Sequence, residues 1–563
     1  MNSSRVRRLS CESLALSFLF IVYAATFAGC RELHNHERIG YVPREIMSHP
    51  ISLRSGIGVF HDPITTTSRK AQEFYDQGQS YLHSFMWIEA ARSFHQALRA
   101  DPKVAMAYVG LSYAYSPIDY AAASDALDHA HALAAQISGP EKRRIEIRRL
   151  QLEAMVEPQN PQKLDTIRHA IDAALQEKPD ELELLLLRGN AEEPTPFADG
   201  QSCVPSAIPY YDRALQSDPG NFAAEHYLAH CYENASRKTE AIEHAQNYVR
   251  EAPAVAHAHH MLGHELRRNG QVKEAIGEFL KADALEMAAS KSENIPAYLN
   301  WHHAHNLGLL ADCYQELGQI KAAETALRKQ IALPVFTDYA MLGRTNWALF
   351  LLNRKRHSEA IKAAEELTRL PSPLAQAAGN ALAGQAELAL KRPQAAKERL
   401  RAANALSQGM KAQDSGAVRT FVVALEAEIL LQEGKIEEAN RDFLELTRRV
   451  LATNNPDAWG AGLYQLQAIS AFARSSGNWE FAEQAAKAML ERDPSYAGAH
   501  FELALIADHA SDQLTARREF GIVCELWRDA DNNLPELLIS KKNVRAPFPR
   551  ASHPSSNSGS HVH

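Results

Sequence analysis

Histidine is the residue type whose number and spacing point to chemistry in this chain. There are 25 in 563 residues, and nine of them sit on three consecutive helical segments. The first carries His226 and His230, the second His257, His259, His260 and His264, and the third, beginning WHHAHNLG, His302, His303 and His305. His226 precedes His260, and His230 precedes His264, by the same interval, one repeat period, so the two pairs hold equivalent places in successive repeats. A longer connection precedes the third segment, and allowing for it aligns His305 with His257 and Asp312 with His264. At about 100° per residue, His257, His260 and His264 fall within roughly 60° of one another. The face carrying Leu262, Gly263 and Leu266, which packs on a partner helix, centres roughly 140° away.

The expected result is a patch of six imidazoles, His226, His230, His257, His260, His264 and His305, with the Asp312 carboxylate, spread over three adjacent helices. His259, His302 and His303 are expected off this face or ahead of the helix. Imidazoles at i and i+4 can share a metal ion such as Zn or Cu, and a second helix can complete the shell. The same residues suit a metal-free polar groove that stacks on and hydrogen-bonds a protein or peptide ligand. A third reading is hydrolysis by metal-activated water, with Glu225, Glu233 or Glu265 on the same helices as bases.

The elements that position these residues recur between positions 68 and 530 with a period of about 34 residues. HYLAHCYENASRKTEAIEHAQNYVREAP, HMLGHELRRNGQVKEAIGEFLKADAL and LGLLADCYQELGQIKAAETALRKQIALP share one layout. A small-residue helix is followed by a polar or Gly turn and a second helix. Ala90, Ala241, Ala275 and Ala439 let the second helix approach the first, and Pro residues end the units. One such pair cannot bury its apolar stripe alone, so neighbours stack. The expectation is an all-α, right-handed superhelical solenoid of about twelve helix–turn–helix repeats. Irregular N-terminal units fill 68–221, with a Pro-rich insertion at 193–205. The histidine-rich units fill 222–337 and the C-terminal units 338–530. The first helix of each pair would line a concave groove, where a partner would bind.

The start of the chain reads as an address. Arg5, Arg7 and Arg8 precede an apolar run from Leu14 to Phe27 and then Ala28-Gly29-Cys30, the three parts of a signal peptide. The ending Phe-Ala-Gly-Cys resembles a bacterial lipobox. Residues 1–29 would be removed and Cys30 lipidated, with Arg31 in place of Asp directing the protein to the outer membrane, facing the periplasm. Residues 30–67, with scattered Pro and Gly, are expected as a tether, and 531–563, Pro- and Ser-rich, as a disordered tail. Cys203, Cys231, Cys313 and Cys524 show no CxxC spacing; two of them could pair in an oxidising periplasm, though no spacing says which, and buried packing is expected of Cys231 and Cys313. The net charge of −8 gives no footprint for nucleic acid. Nucleotide-loop, GxSxG, HExxH and CxxCH motifs are missing, so a binding protein is expected before an enzyme.

Residues 60–330 resemble a bacterial family of tetratricopeptide-repeat (TPR) proteins. The likeness rests on VFHDPITTTSRKAQEFYDQGQSYLHSF, AEHYLAHCYE, HAHHMLGHELRRNGQ and HHAHNLGLL. The family's motifs are His-Tyr-x-x-His, His-Met-Pro-x-His and His-Asn-Leu-His. Here Val109 stands where Trp is usual, Leu262 where Pro is usual, and Gly308 where the last His is usual. The resemblance implies the repeat architecture and the histidine motifs; it implies no activity.

Overall fold

The structure, a computed structural model, describes residues 42–194, 202–336, 338–410, 412–452 and 456–545. The leader, Cys30, the first part of the tether, part of the Pro-rich insertion and the end of the tail lie outside the described residues.

Stretches rich in Ala, Leu, Glu and Arg form helices, and no strand occurs among the described residues. Twelve helix pairs among those residues run from Arg69–Leu82 with Trp87–Ala100 to Ala497–His509 with Gln513–Leu526 and make an all-α solenoid. Ala90, Ala241, Ala275 and Ala439, the small residues expected at the crossings, are fully buried. The turn inside several pairs contains a left-handed residue, and Gly270, Gly318, Gly434 and Gly477 occupy it with φ between +69° and +80°. This region costs a residue with a Cβ about 1–2 kcal/mol, so Gly recurs there. The helices that build the site are, in chain order, α1 (Arg69–Leu82), α2 (Trp87–Ala100), α3 (Phe222–Asn234), α4 (Ala256–Arg268) and α5 (Trp301–Glu316).

Residues 42–67, expected as tether, instead form a strap docked on the solenoid. Val42, Met47, Ile51, Ile57 and Phe60 are buried. Arg92, itself buried, donates to the strap carbonyls of His49 at 3.0 Å and Pro50 at 2.6 Å, and the Ala254 N–H donates to Gly56 O at 2.7 Å. The apolar residues of the strap follow no helical or strand period, so pattern alone does not reveal them. Part of the expected tail is also ordered: Pro535–Arg545 is a helix that buries Leu537 and pairs Glu536 with Arg354 at 3.0 Å.

The solenoid also closes on itself. Tyr464 OH donates to Asp312 O at 3.2 Å, the Trp527 indole donates to Glu316 O at 2.8 Å, and the Asp531 N–H donates to Gly318 O at 3.1 Å. From the other end, Phe85 and Trp87 lie against imidazoles of α3, α4 and α5. Along the histidine helices the expected concave groove is therefore filled by the chain itself.

Gly58, at φ +85°, passes so close to Phe222 that a Cβ would lie 2.2 Å from its ring. Gly58→Ala is expected to cost about 2–4 kcal/mol, because both the backbone angle and the contact oppose it. The readouts are a lower denaturation midpoint and faster proteolysis within 42–67; an unchanged midpoint would mean that the strap is not docked.

Candidate functional site

The geometry starts from helix ends. Asn221 caps α3, its side chain accepting the Ala224 N–H at 2.9 Å, and Asn300 caps α5. These caps set the register that turns the histidines of each helix toward its neighbours. The result is two groups of three imidazoles. His226 and His230 of α3 meet His257 of α4; His260 and His264 of α4 meet His305 of α5. In each group one ring nitrogen per residue lies within 4.8 Å of the others. Five of the six rings are buried, and His305 is half-buried.

Hydrogen bonds at the far nitrogens fix where several lone pairs point. His226 Nδ1 lies 2.7 Å from the His83 carbonyl, which only accepts, so Nδ1 carries the proton and Nε2 is bare. Asn306 donates its amide to Phe279 O at 2.9 Å, which turns its oxygen to His260 Nδ1 at 3.0 Å. His260 Nδ1 is thus the donor and its Nε2 the lone pair. His302 Nδ1 faces the Asn300 side-chain oxygen at 2.9 Å, and that oxygen also accepts the His302 N–H. His230 Nε2, His257 Nδ1 and His302 Nε2 are buried with no hydrogen-bond partner. His226 Nε2 and His257 Nε2 stand 3.0 Å apart. Two imidazole nitrogens on one tetrahedral Zn²⁺ would be about 3.3 Å apart, so this pair sits near ligating geometry.

Burial is the main cause that holds His226, His257, His260 and His302 well below the usual histidine range, and the mutual repulsion of the rings adds to it. They are neutral, which is the form that binds metal. The one carboxylate beside both groups, among the described residues, is Glu233. It lies 3.7 Å from His230 Nδ1 and 3.6 Å from His264 Nδ1, and Arg268 donates to it at 3.0 Å.

Three placements differ from the sequence expectation. His302 is inside the cluster, its ring 4.5 Å from that of His257. Helix α5 begins at Trp301, so His302 and His305, three apart, share a face. Asp312 is outside the cluster. It lies farther along α5, paired with Arg267 at 3.4 Å where the C-terminal half closes over it. Cys231, expected as a packing residue, is joined to Cys203 in a disulfide, while Cys313 is buried and free. His259 and His303 do leave the cluster. His259 pairs with Glu278 at 2.6 Å, and His303 lies 3.3 Å from Glu286. Of the carboxylates considered as bases, Glu225 is held by His244 at 2.5 Å and Asn247 at 3.0 Å. Buried Glu265 is pushed well above the usual carboxylate range, first by desolvation and then by Glu233.

Sequence reasoning missed Phe85. It occupies the left-handed turn position that Gly, Ser or Lys fills in other repeats, at φ +57°. Its ring lies 4.6 Å from that of His226, 5.1 Å from His257 and 5.8 Å from His230. A bulky residue held in that conformation costs energy locally and closes one side of the first triad. A bulky aromatic where the other repeats place Gly, Ser or Lys was the available signal.

Tetratricopeptide-repeat family models match residues 201–256 and 304–334, so the chain carries TPR repeats. No curated protein sequence matches it. Among solved structures, the chain is similar to that of the APC/C hetero-tetramer Cut9-Hcn1, at 13% identity over 84% of this chain and 90% of that one, TM-score 0.30. It is also similar to yeast Tom70, at 15% identity over 85% and 96%, TM-score 0.30. A third is a monomeric IFIT1 mutant with Gppp-AAAA, at 11% identity over 88% and 100%, TM-score 0.34. Likeness at this level says nothing of a ligand.

The buried neutral imidazoles give a pH prediction. In the unfolded chain they titrate near pH ~6.5, whereas in the folded protein they titrate lower. Below pH ~6.5 the unfolded state therefore binds more protons, and stability falls as pH drops; above it these groups add no slope. Each contributes at most about 1.4 kcal/mol per pH unit, so the fall is expected to be steep. Denaturation midpoints of metal-free protein between pH 7.5 and 5 are the check, and a flat profile would contradict the burial of neutral rings.

Proposed function

We propose that this chain is a lipid-anchored TPR protein of the bacterial cell envelope that binds a transition metal, Zn or Cu, in its buried histidine cluster. The observation that carries the reading is the pair of imidazole triads, each with one ring nitrogen per residue within 4.8 Å of the others, in which the far nitrogens of His226 and His260 are tied to acceptors. Ligating histidines are oriented in this way, by donating the other N–H to a carbonyl or carboxylate. A peptide groove would need open surface at these residues, and they are covered.

The envelope location rests on the leader pattern and is supported by the Cys203–Cys231 disulfide, since such bonds persist in oxidising compartments. A solenoid of helix pairs also offers long surfaces to protein partners, so a scaffold role stands beside metal binding, with the partner on the outer faces.

Zn²⁺ or Cu²⁺ is expected to raise the melting temperature near pH 7.5. At 100 times the dissociation constant the gain is about 2.7 kcal/mol. His260→Ala with His264→Ala should abolish most of it. His500→Ala should not, because His500 lies far along the chain, paired with Glu519 at 2.7 Å. A melting point unmoved by either metal would refute the metal reading.

The anchor has its own test. Cys30→Ala should leave the protein uncleaved or soluble, with detergent no longer needed for extraction. Fractionation with membranes identical to the parent would remove the lipoprotein reading.

A further inference from the structure

The two triads are copies. His226 and His230 of α3 recur as His260 and His264 of α4, one repeat later, and His257 recurs as His305 across the longer connection that precedes α5. Each triad takes two imidazoles from one helix and one from the next. They meet along α4, where the rings of His257 and His260 are 5.7 Å apart. Because neighbouring packed helices stand on the order of 8–10 Å apart, ions at the two triads would be separated by about that distance. That is too far for a shared bridging oxygen, which holds metals about 3.5–4 Å apart, and near enough for each ion to feel the other's charge.

The charge inventory decides what can fill both. All six candidate ligands are imidazoles, which ligate a metal ion as neutral donors and bring no negative charge. Glu233 is the anion common to both, 3.7 Å from His230 of the first triad and 3.6 Å from His264 of the second, and its charge is already answered by Arg268 at 3.0 Å. The cluster thus offers little negative charge to compensate buried cations. Repulsion between two ions scales with the product of their charges, so two monovalent ions repel one quarter as strongly as two divalent ones at the same separation. Imidazole nitrogen suits copper.

We propose that the triads are two repeat-related metal sites that share Glu233 as an outer carboxylate, and that both fill with cuprous ions, one per triad. Divalent ions fill one triad and resist the second. Glu233 is a positioning residue here. It orients His230 and His264 through their Nδ1 atoms and so tunes both sites together. This inference rests on the metal reading above.

The test is titration of the full mature chain under anaerobic conditions with Cu⁺ in a competing chelator, and separately with Zn²⁺, with metal counted per chain. Cu⁺ is expected to reach two per chain with affinities within about tenfold. Zn²⁺ is expected to bind first at one site and then at least about a hundredfold more weakly at the other. His230→Ala should leave one Cu⁺, and so should His305→Gln, which changes the half-exposed ligand and spares the core. Glu233→Gln should keep the count at two while weakening both sites by roughly 10–100-fold. A misfolded variant would lose the count as well, and circular dichroism of each metal-free variant identifies it. A single Cu⁺ lost with either triad's variant would overturn the two-site proposal, as would two Zn²⁺ of equal affinity. A wild type that takes no metal would overturn the underlying metal reading instead.

Discussion

Seven imidazoles lie together where the helices α3, α4 and α5 meet, and six of them are buried. Burial on this scale keeps His226, His257, His260 and His302 neutral, because several uncompensated charges could not be desolvated at close range. Neutral rings must still find partners for their N–H groups, and much of the local architecture serves that need. The His83 carbonyl at the end of α1, the Asn306 side-chain oxygen and the Asn300 cap each accept a hydrogen bond from one ring N–H. His83 in turn is held by Tyr227 at 2.8 Å and Glu183 at 2.9 Å, so the support of one imidazole reaches back through two further units. What remains unsupplied are nitrogen atoms of His230, His257 and His302, buried without hydrogen-bond partners.

That arrangement explains why the solenoid is not open. The strap from 42 to 67, the Phe85 turn and the Trp87–Trp301 stack, with ring centroids 5.6 Å apart, exclude water from the cluster on one side. On the other, the helix Pro456–Ser475 and the residues around Trp527 seal the polar end of α5, where Arg267 and Asp312 are almost entirely buried. The strap seats two glycines of positive φ against Ala254 and Phe222, and at Gly58 a Cβ would collide with the Phe222 ring. Surface that a repeat protein would ordinarily offer to a partner is here used to enclose polar side chains.

How much of this is legible in the sequence depends on whether a signal is local and periodic. The repeat period carries the helix pairs, their number and their buried alanines, because helical packing depends on short-range spacing. The same period places six imidazoles in register. It does not place His302, because the start of α5 is set by the Asn300 cap and not by the repeat. Nor does it separate Asp312 from the cluster, since Arg267 lies on another repeat and Tyr464 on a helix far along the chain. The strap and the filling of the groove are hidden for a related reason. Each depends on how far the superhelix curls, a sum of small rotations that no single repeat records.

Closure of the solenoid changes how such a molecule should come apart. In an open array each repeat touches only its neighbours, so folding can begin anywhere and ends can fray independently. Here the first unit is fastened to the fifth and seventh, and the C-terminal end to the seventh and eighth. Those long-range fastenings couple the ends to the middle, raise the contact order, and slow the search for the native state. They also turn a string of semi-independent modules into something closer to one cooperative body. Removing a terminal unit would then unseal the centre, where an ordinary repeat protein would simply become shorter.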